Sequence, residues 1–517
     1  MYCFYKLVIS LGLVALTVLP AAAAPDLISV DIVVGQVSAS RTGTLFEATD
    51  SDGEARLSIG FERRFQTTRQ SGGETISVEF DDGNDKMAVA SVGKGGNYLH
   101  GGMNSVGGKL IIRPSDGRAE SYAFEPSSGT WSTIGKPELR RLYCKGDVTL
   151  CAALSECDSP YDLSDRHFMS KDCAVLGNEV VWSERNSRAL AGISPSILAP
   201  RFLDARYLVL AWQTPASSGF VICLTRAITD SCRAHQFGKL PESPYATYRR
   251  NNQIIIATNR GNVLELSDPG IVRILRRDDG QSFQAYSALQ YGSSTIVGMY
   301  PFGEALSWDH DLRPDSAPNL DRADRSQWEA QSLATYMGRL FVGMWPWGTV
   351  WSIDRKTHKW ELMTRLFNHP RYKPDAEGPY MLPAPVYNCF NQRVTDLIPL
   401  GDSLYALTGS KGCGGNDLSG LVGLDTDQLA EYGVLYRMTS TGNLSVPLAL
   451  SQGDRLSLTI DRQTMRLLVN GNLVAEAAVD IKDDFCINGY REHSGLMGTA
   501  RGVRASSISM TGELLCK

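Results

Sequence analysis

From residue 28 the chain alternates apolar and polar positions with a period of two, the pattern of strands that bury one face. Ile-Ser-Val-Asp-Ile-Val-Val at 28–34, Gly-Thr-Leu-Phe-Glu-Ala at 43–48, Ala-Arg-Leu-Ser-Ile-Gly-Phe at 55–61 and Thr-Ile-Ser-Val-Glu-Phe at 75–80 read as four strands separated by Asp, Gly and Ser turns. The pattern returns at 453–461 and 466–475, where Asn470-Gly471 is the two-residue signal of a type I′ hairpin. The strands at 27–92 make half of a packed two-sheet unit and leave edges that need partners. Short β-branched runs with 49 Gly and 23 Pro fill the interval, so the predicted class is all-β.

Within that interval one stretch occurs twice. Val-Gly-Met-Tyr-Pro-Phe-Gly-Glu-Ala-Leu-Ser-Trp-Asp at 297–309 returns 45 residues later as Val-Gly-Met-Trp-Pro-Trp-Gly-Thr-Val-Trp-Ser-Ile-Asp at 342–354, with seven of thirteen positions identical. Ser287 and Ser332, and Tyr291 and Tyr336, extend the match upstream without a gap. A period of this length built from short strands is the signature of a β-propeller, each repeat being one blade. About seven blades fit, at 98–136, 176–190, 206–236, 248–276, 286–315, 332–366 and 394–438. The first, from Tyr-Leu-His-Gly-Gly-Met to Glu-Pro-Ser-Ser-Gly-Thr-Trp at 125–131, is similar to a kelch-type blade. Inserts at 367–389 and 413–431 interrupt the period, which is where propellers carry functional loops.

The hairpin at 466–475, with its Val-Asn-Gly-Asn-Leu-Val core, resembles the later half of a laminin-G/concanavalin-like jelly roll, and 43–61 resembles the earlier half. This implies one discontinuous β-sandwich, begun at 27–92 and finished at 441–517, with the propeller at 93–440 inserted between. Close chain termini make such insertions easy. Two unrelated β caps are the alternative. The resemblance allows a structural Ca2+ at the rim of the jelly roll, although no acidic cluster specifies its site.

Composition sets the compartment and excludes some partners. Net charge is −5 and charged residues make up 21%, which argues against a broadly basic nucleic-acid-binding surface. Lys6, the apolar run at 7–19 and the small residues at 21–24 read as a signal peptide over 1–24, so the protein is expected to be secreted or periplasmic; an N-terminal anchor helix is the alternative. No other stretch is long and apolar enough to span a bilayer. Eleven cysteines become ten once Cys3 leaves, an even number that suggests disulfides in an exported chain. Cys223 with Cys232, Cys389 with Cys413, and Cys486 with Cys516 are the candidate pairs. Cys144, Cys151, Cys157 and Cys173 would staple one insertion or, as the sharper alternative, hold zinc, so the metal content stays unassigned.

Candidate chemistry is of three kinds. Tyr300, Phe302, Trp345 and Trp347 are rigid rings between Gly and Pro, suited either to stacking on sugars or to packing between blades. His100, His167, Tyr248 and Arg249 supply the types needed for β-elimination at a uronate: Arg neutralises the carboxylate, and His or Tyr takes the proton α to it while the other protonates the leaving oxygen. This resembles the secreted propeller lyases that act on ulvan-like and rhamnose–glucuronate polysaccharides, in architecture and residue types but without a contiguous motif. Arg393 and Asp396 could face the channel, where the guanidinium would bind carboxylate or sulfate, or form a structural pair within a blade. Glu304, Asp309, Asp354 and Asp396 offer carboxylates for hydrolysis. Motifs for nucleotide, serine-hydrolase and zincin chemistry are absent. The expected function is binding and β-elimination of an acidic polysaccharide by a monomer that requires no cofactor. The alternatives are a non-catalytic glycan- or protein-binding surface module and a propeller glycoside hydrolase.

Overall fold

A computed structural model describes residues 27–37, 43–64, 66–67, 73–82, 86–94, 102–113, 121–135, 168–170, 173–176, 179–182, 198–204, 207–213, 218–224, 233–237, 244–250, 253–259, 261–268, 271–276, 284–291, 294–308, 327–353, 359–369, 371–372, 392–410, 425–448, 450–481, 485–492 and 503–512. The signal-like segment 1–24 lies outside them.

The middle of the chain folds as a succession of antiparallel sheets whose strands follow chain order, so each is a meander closed by hairpins. One sheet runs from Gly102–Val106 to Thr130–Gly135, and a three-stranded one from Phe168–Ser170 to Glu179–Trp182. Others begin with Leu198–Asp204, Pro244–Arg250, Gln284–Tyr291, Glu329–Tyr336 and Gln392–Leu400. The first strands of successive sheets pack side by side from Leu198–Asp204 onward, and Gln392–Leu400 packs in turn on Gly102–Val106. This is the arrangement of a β-propeller, first strand innermost. Glu329–Tyr336, Gln392–Leu400 and Ser403–Ser410 are buried at every position, because neighbouring sheets cover both faces. These strands accordingly lack a strict alternation of apolar and polar positions, while the outer strand Trp360–Arg365 is partly exposed throughout.

The last sheet is completed from far upstream. Ala88–Lys94 pairs antiparallel with Val434–Thr439 as its fourth strand. The sequence placed 88–92 with the earlier half-sandwich; its hydrogen bonds instead satisfy the open outer edge of Val434–Thr439.

The repeated motif is a seam between sheets. Ser287 Oγ donates to Ala330 O at 3.0 Å, and Ser332 Oγ donates to Val394 O at 3.1 Å, each reaching the innermost strand of the next sheet. The motif's first glycines leave the room: a Cβ on Gly298 would collide with Ala330 O and the Ser287 hydroxyl, and one on Gly343 with the Ser332 hydroxyl and the Val394 side chain. Beyond the Tyr300-Pro301 and Trp345-Pro346 peptides, both cis, the turns bond forward again. Gly303 N donates to Trp328 O at 2.7 Å, and Pro346 O accepts from Gln392 N at 3.1 Å.

The remaining strands form two sheets that draw on both ends of the chain. In one, Ile28–Val37 lies between Arg455–Ile460 and Val503–Gly512, with Thr464–Val469 and Asn472–Ala478 continuing outward. Asn470 and Gly471, at φ 51° and 79°, make the hairpin between these last two, as their residue types require. In the other, Gly489–Glu492, Gly43–Thr49, Ala55–Arg64, Gly73–Phe80 and Asn443–Pro447 lie side by side. Val30, Ile32, Phe46, Leu57, Ile59, Val78, Leu458 and Leu467 belong to a single apolar cluster that both sheets share.

Ala55–Arg64 is longer than that cluster needs. Its end leaves the apolar interior and runs along the inner edge of the propeller's first strands: Arg63 and Arg64 pair with Gln290 and Leu289, then Gln66 and Thr67 with Thr247 and Ala246. Glu62 accepts from the backbone N of Thr335 at 2.8 Å and from its hydroxyl. Arg64 Nη1 donates to Leu397 O at 3.0 Å and lies 3.8 Å from Asp396 Oδ1, while its Nε lies 3.9 Å from Glu62 Oε1. Asp396 in turn accepts from Met103 N at 3.2 Å. All three charged side chains are buried. Burial pushes the Glu62 carboxyl up from its ordinary value, against the pull of Arg64 and the Thr335 hydrogen bonds.

Urea unfolding tests both the seam and the buried centre. Gly343→Ala should cost about 1–3 kcal/mol through the collision with Ser332 and Val394, and Ser332→Ala about 1 kcal/mol. In the centre, Arg64→Met should cost about 3–5 kcal/mol, since it leaves buried carboxylates without their cation. Glu62→Gln keeps an acceptor for Thr335 and should cost less. A carboxyl raised in the folded state contributes stability that is fully present below its unfolded value of about 4.3 and is lost as pH rises through the folded one. The Gln variant should therefore gain on the wild type between acid and neutral pH; a constant difference would exclude the raised carboxyl.

Candidate functional site

The inserted strand identifies the two ends of the propeller. It meets Gln284–Tyr291, Glu329–Tyr336 and Gln392–Leu400 in their C-terminal halves, at Leu289, Gln290, Thr335 and Leu397. The opposite end carries Gln284, Glu329 and Gln392, the turns after Tyr300 and Trp345, and the points where the chain leaves at Leu366 and Ser410. Both long inserts depart from this end.

A closed aromatic layer lies beneath it. Arg393 Nη2 donates to Glu329 Oε2 at 2.6 Å, with the two side chains 1% and 0% exposed. The Arg393 guanidinium carbon stands 5.8 Å from the Tyr286 ring centre and 6.0 Å from that of Trp345. Tyr286 and Tyr300 meet edge-on at 6.2 Å, Trp328 and Trp345 at 5.0 Å, and the four rings form one cluster. The Tyr286 hydroxyl donates to Gln284 Oε1 at 2.6 Å. Equivalent register positions on consecutive inner strands bring Glu329 and Arg393 together, so the ion pair crosses from one sheet to the next.

Above this layer a polar constellation gathers on Trp347. Arg365, the last residue of Trp360–Arg365, donates from Nε to Trp347 O at 3.1 Å and from Nη2 to Gln392 Oε1 at 2.9 Å. Its guanidinium carbon stands 5.6 Å from the Trp347 ring centre and 6.0 Å from that of Tyr372. Those rings meet edge-on at 5.4 Å. Gln327 Nε2 donates to the Tyr372 oxygen at 3.0 Å, and Thr349 Oγ1 to Gln327 Oε1 at 3.0 Å. Nη1 of Arg365 makes no hydrogen bond among the described residues. Burial pushes this guanidinium below its ordinary value, and the charge of Glu431 opposes the shift.

His369 and Glu431 complete the group. The Glu431 carboxylate accepts from Asn368 N at 3.0 Å and His369 N at 3.3 Å, and lies 3.2 Å from His369 Nδ1. The Glu431 side chain is 10% exposed and that of His369 54%. Glu431 caps the C-terminus of the short helix Thr426–Ala430, whose start is fixed by a capping box between Asp425 and Gln428. Gln392 Nε2 also donates to His369 O. The arrangement offers a guanidinium nitrogen for an anion, an imidazole oriented by a carboxylate, and a phenol.

The residues singled out from sequence are placed as follows. Tyr300 and Trp345 are buried in the aromatic layer, Trp347 lies under Tyr372 and Arg365, and Phe302 is exposed. Arg393 and Asp396, expected to face the channel or to pair within a blade, instead join Glu329 and Arg64 on other elements. Tyr248 and Arg249 lie on the innermost strand Pro244–Arg250, opposite Ile255 and Ile254. His100, His167, Asp309, Asp354, Cys232, Cys389, Cys413 and Cys516 lie outside the described residues. Cys223 lies on Ser218–Leu224, and Cys486 is disulfide-bonded. Arg365, His369, Tyr372 and Glu431 were not foreseen, although Arg-Leu-Phe-Asn-His-Pro-Arg-Tyr at 365–372 concentrates Arg, His and Tyr where an insert begins. Among the described residues no cluster of His, Cys, Asp and Glu could hold a metal ion, and no helix is long and apolar enough to cross a membrane.

The chain matches no protein-family profile and no curated protein sequence. Solved structures similar to it include YCF48 bound to D1 peptide, at 9% identity and TM-score 0.25, covering 68% of this chain and 97% of the other. BamB from Moraxella catarrhalis matches at 11% identity and TM-score 0.27, over 77% of this chain and 100% of the other. TolB from Acinetobacter baumannii matches at 8% identity and TM-score 0.24, over 58% and 62%. Superpositions at these scores carry no inference for this chain, whose propeller arrangement rests on its own strand topology.

The buried pair and the upper cation should separate on substitution. Arg393→Met leaves Glu329 charged in a dry interior and should cost about 3–5 kcal/mol, whereas Arg365→Met should cost about 1–3 kcal/mol. Urea midpoints of the two variants compare them directly; equal losses would mean that Arg365 is structural in the same sense.

Proposed function

We propose that this is an exported carbohydrate-active protein in which a propeller of about seven blades interrupts a laminin-G/concanavalin-like sandwich made from residues 27–92 and 441–517. An acidic polysaccharide binds at the propeller end that carries Trp347 and is cleaved there by β-elimination at a uronic acid. The observation that carries this reading is that Arg365 stands over Trp347 and Tyr372 while Glu431, which engages His369, acts on the same guanidinium through its charge. The shared apolar cluster built from both chain ends supports the discontinuous sandwich, and the pattern of residues 1–24 supports export.

In this reading Arg365 Nη1 pairs with the uronate carboxylate, which makes the adjacent C–H more acidic. Glu431 engages His369 Nδ1, so Nε2 takes the proton α to the carboxylate. The electron pair released forms the new carbon–carbon double bond, the bond to the glycosidic oxygen breaks, and the Tyr372 hydroxyl protonates that oxygen. Solvent exchange returns both groups to their starting states. A second reading is a non-catalytic glycan-binding module, favoured by the commitment of Arg365 Nε and Nη2 to Trp347 and Gln392.

The test is ultraviolet absorbance of the unsaturated product after mixing the purified protein with a panel of uronate polysaccharides. A rise is expected with at least one polymer, and His369→Ala and Tyr372→Phe should each lower its rate by about 10²–10⁴-fold. Reducing ends without absorbance would point to hydrolysis by a carboxylate pair. Retained binding with neither signal would leave the binding module.

A further inference from the structure

Gln392 touches both groups on which the glycan site depends. It is the first residue of the innermost strand Gln392–Leu400 and is 1% exposed. Its backbone is fixed, since its N donates to Pro346 O at 3.1 Å and the residue bridges to Trp347. Its carboxamide works in two directions. Oε1 accepts from Arg365 Nη2 at 2.9 Å, and Nε2 donates to His369 O. A guanidinium only donates and a carbonyl only accepts, so these two neighbours fix which end of the amide faces each. A carboxylate of the same length could not donate to His369 O, and an apolar chain could serve neither neighbour.

The consequence reaches Arg365 first. Its Nε donates to Trp347 O at 3.1 Å and its Nη2 to Gln392, so acceptors held by the fold set the plane of the guanidinium. Gln392 is neutral, so it orients this cation without cancelling its charge. Glu431, the carboxylate that acts on the same cation, bonds to Asn368 and His369 rather than to it. A guanidinium held in this way loses little conformational freedom on meeting a ligand anion. His369 is gripped by the same amide at its O, and by Glu431 at its N and Nδ1. We propose that Gln392 is the positioning residue of the glycan site, holding Arg365 and His369 in one arrangement. Through Arg365 it makes the site select uronates with a free carboxylate over their methyl esters. This rests on the glycan site proposed at Arg365 and narrows its substrate class to unesterified polyuronates.

The experiment is calorimetric titration of the full chain with a uronate oligosaccharide and with its methyl ester. The wild type should bind the free acid roughly tenfold more tightly than the ester. Gln392→Glu pairs the cation with an internal carboxylate, and should weaken free-acid binding roughly tenfold while leaving the ester unchanged. Gln392→Met, which adds no charge, should weaken the free acid by less. Arg365→Met, at a less buried position, should abolish the preference and carries the test where the Gln392 variants do not fold. Three results would overturn the role of Gln392 and leave the Arg365 site standing: equal binding of acid and ester by the wild type, equal weakening of both in Gln392→Glu, or a preference retained in Arg365→Met. A wild type that binds neither form would overturn the glycan site itself, and the role of Gln392 with it.

Discussion

Charge buried at the meeting point of the inner strands is the constraint on which the rest of the arrangement depends. Ala55–Arg64 starts in an apolar interior of two sheets and ends against the innermost strands of others, where its polar groups have no water to turn to. Arg64 meets this by bonding to Leu397 O and lying between Glu62 and Asp396, while Glu62 takes both donors of Thr335. Such groups are costly unless every partner is in place. The strand therefore holds together elements far apart in sequence. The long inserts depart from the end of the inner strands where Gln284, Glu329 and Gln392 lie.

Within the propeller a different economy operates. Consecutive sheets are joined by a repeated seam in which a serine hydroxyl crosses to the next inner strand and a glycine clears its way. The seam recurs because the geometry between neighbours recurs. Its aromatic residues, read as either ligand contacts or packing, divide between layers: Tyr300 and Trp345 inside, Trp347 as the floor of the polar constellation, and Phe302 on the surface.

The repeat and the alternation at 28–80 and 453–475 were legible because each depends on residues close in sequence. Asn470-Gly471 shows this well: only a left-handed pair fits the turn, and the residues announce it. The destination of Ala88–Lys94 was not legible, since an outer strand is defined by the open edge it meets, here more than three hundred residues downstream at Val434–Thr439. Nor were the partners of Arg393 and Asp396, because neither Glu329 nor Arg64 lies near them in the chain. The candidate site gathers Arg, His and Tyr, residue types also singled out from the sequence, at other positions. Tyr248 and Arg249 stood out as a dense polar pair, whereas Arg365, His369 and Tyr372 are joined to Glu431 only by the way two inserts return to the same end of the propeller.

Ile28–Val37 is hydrogen-bonded on both edges by strands from the far end of the chain, Ile28 standing opposite Ile460 on one side and Gly512 on the other. The earliest described strand thus has no permanent neighbour until strands more than four hundred residues downstream exist. A growing chain of this kind keeps that apolar strand unsheltered until those strands are made, and its closure rests on contacts of great sequence separation, which form slowly. Such a chain stays threadable while it is being made.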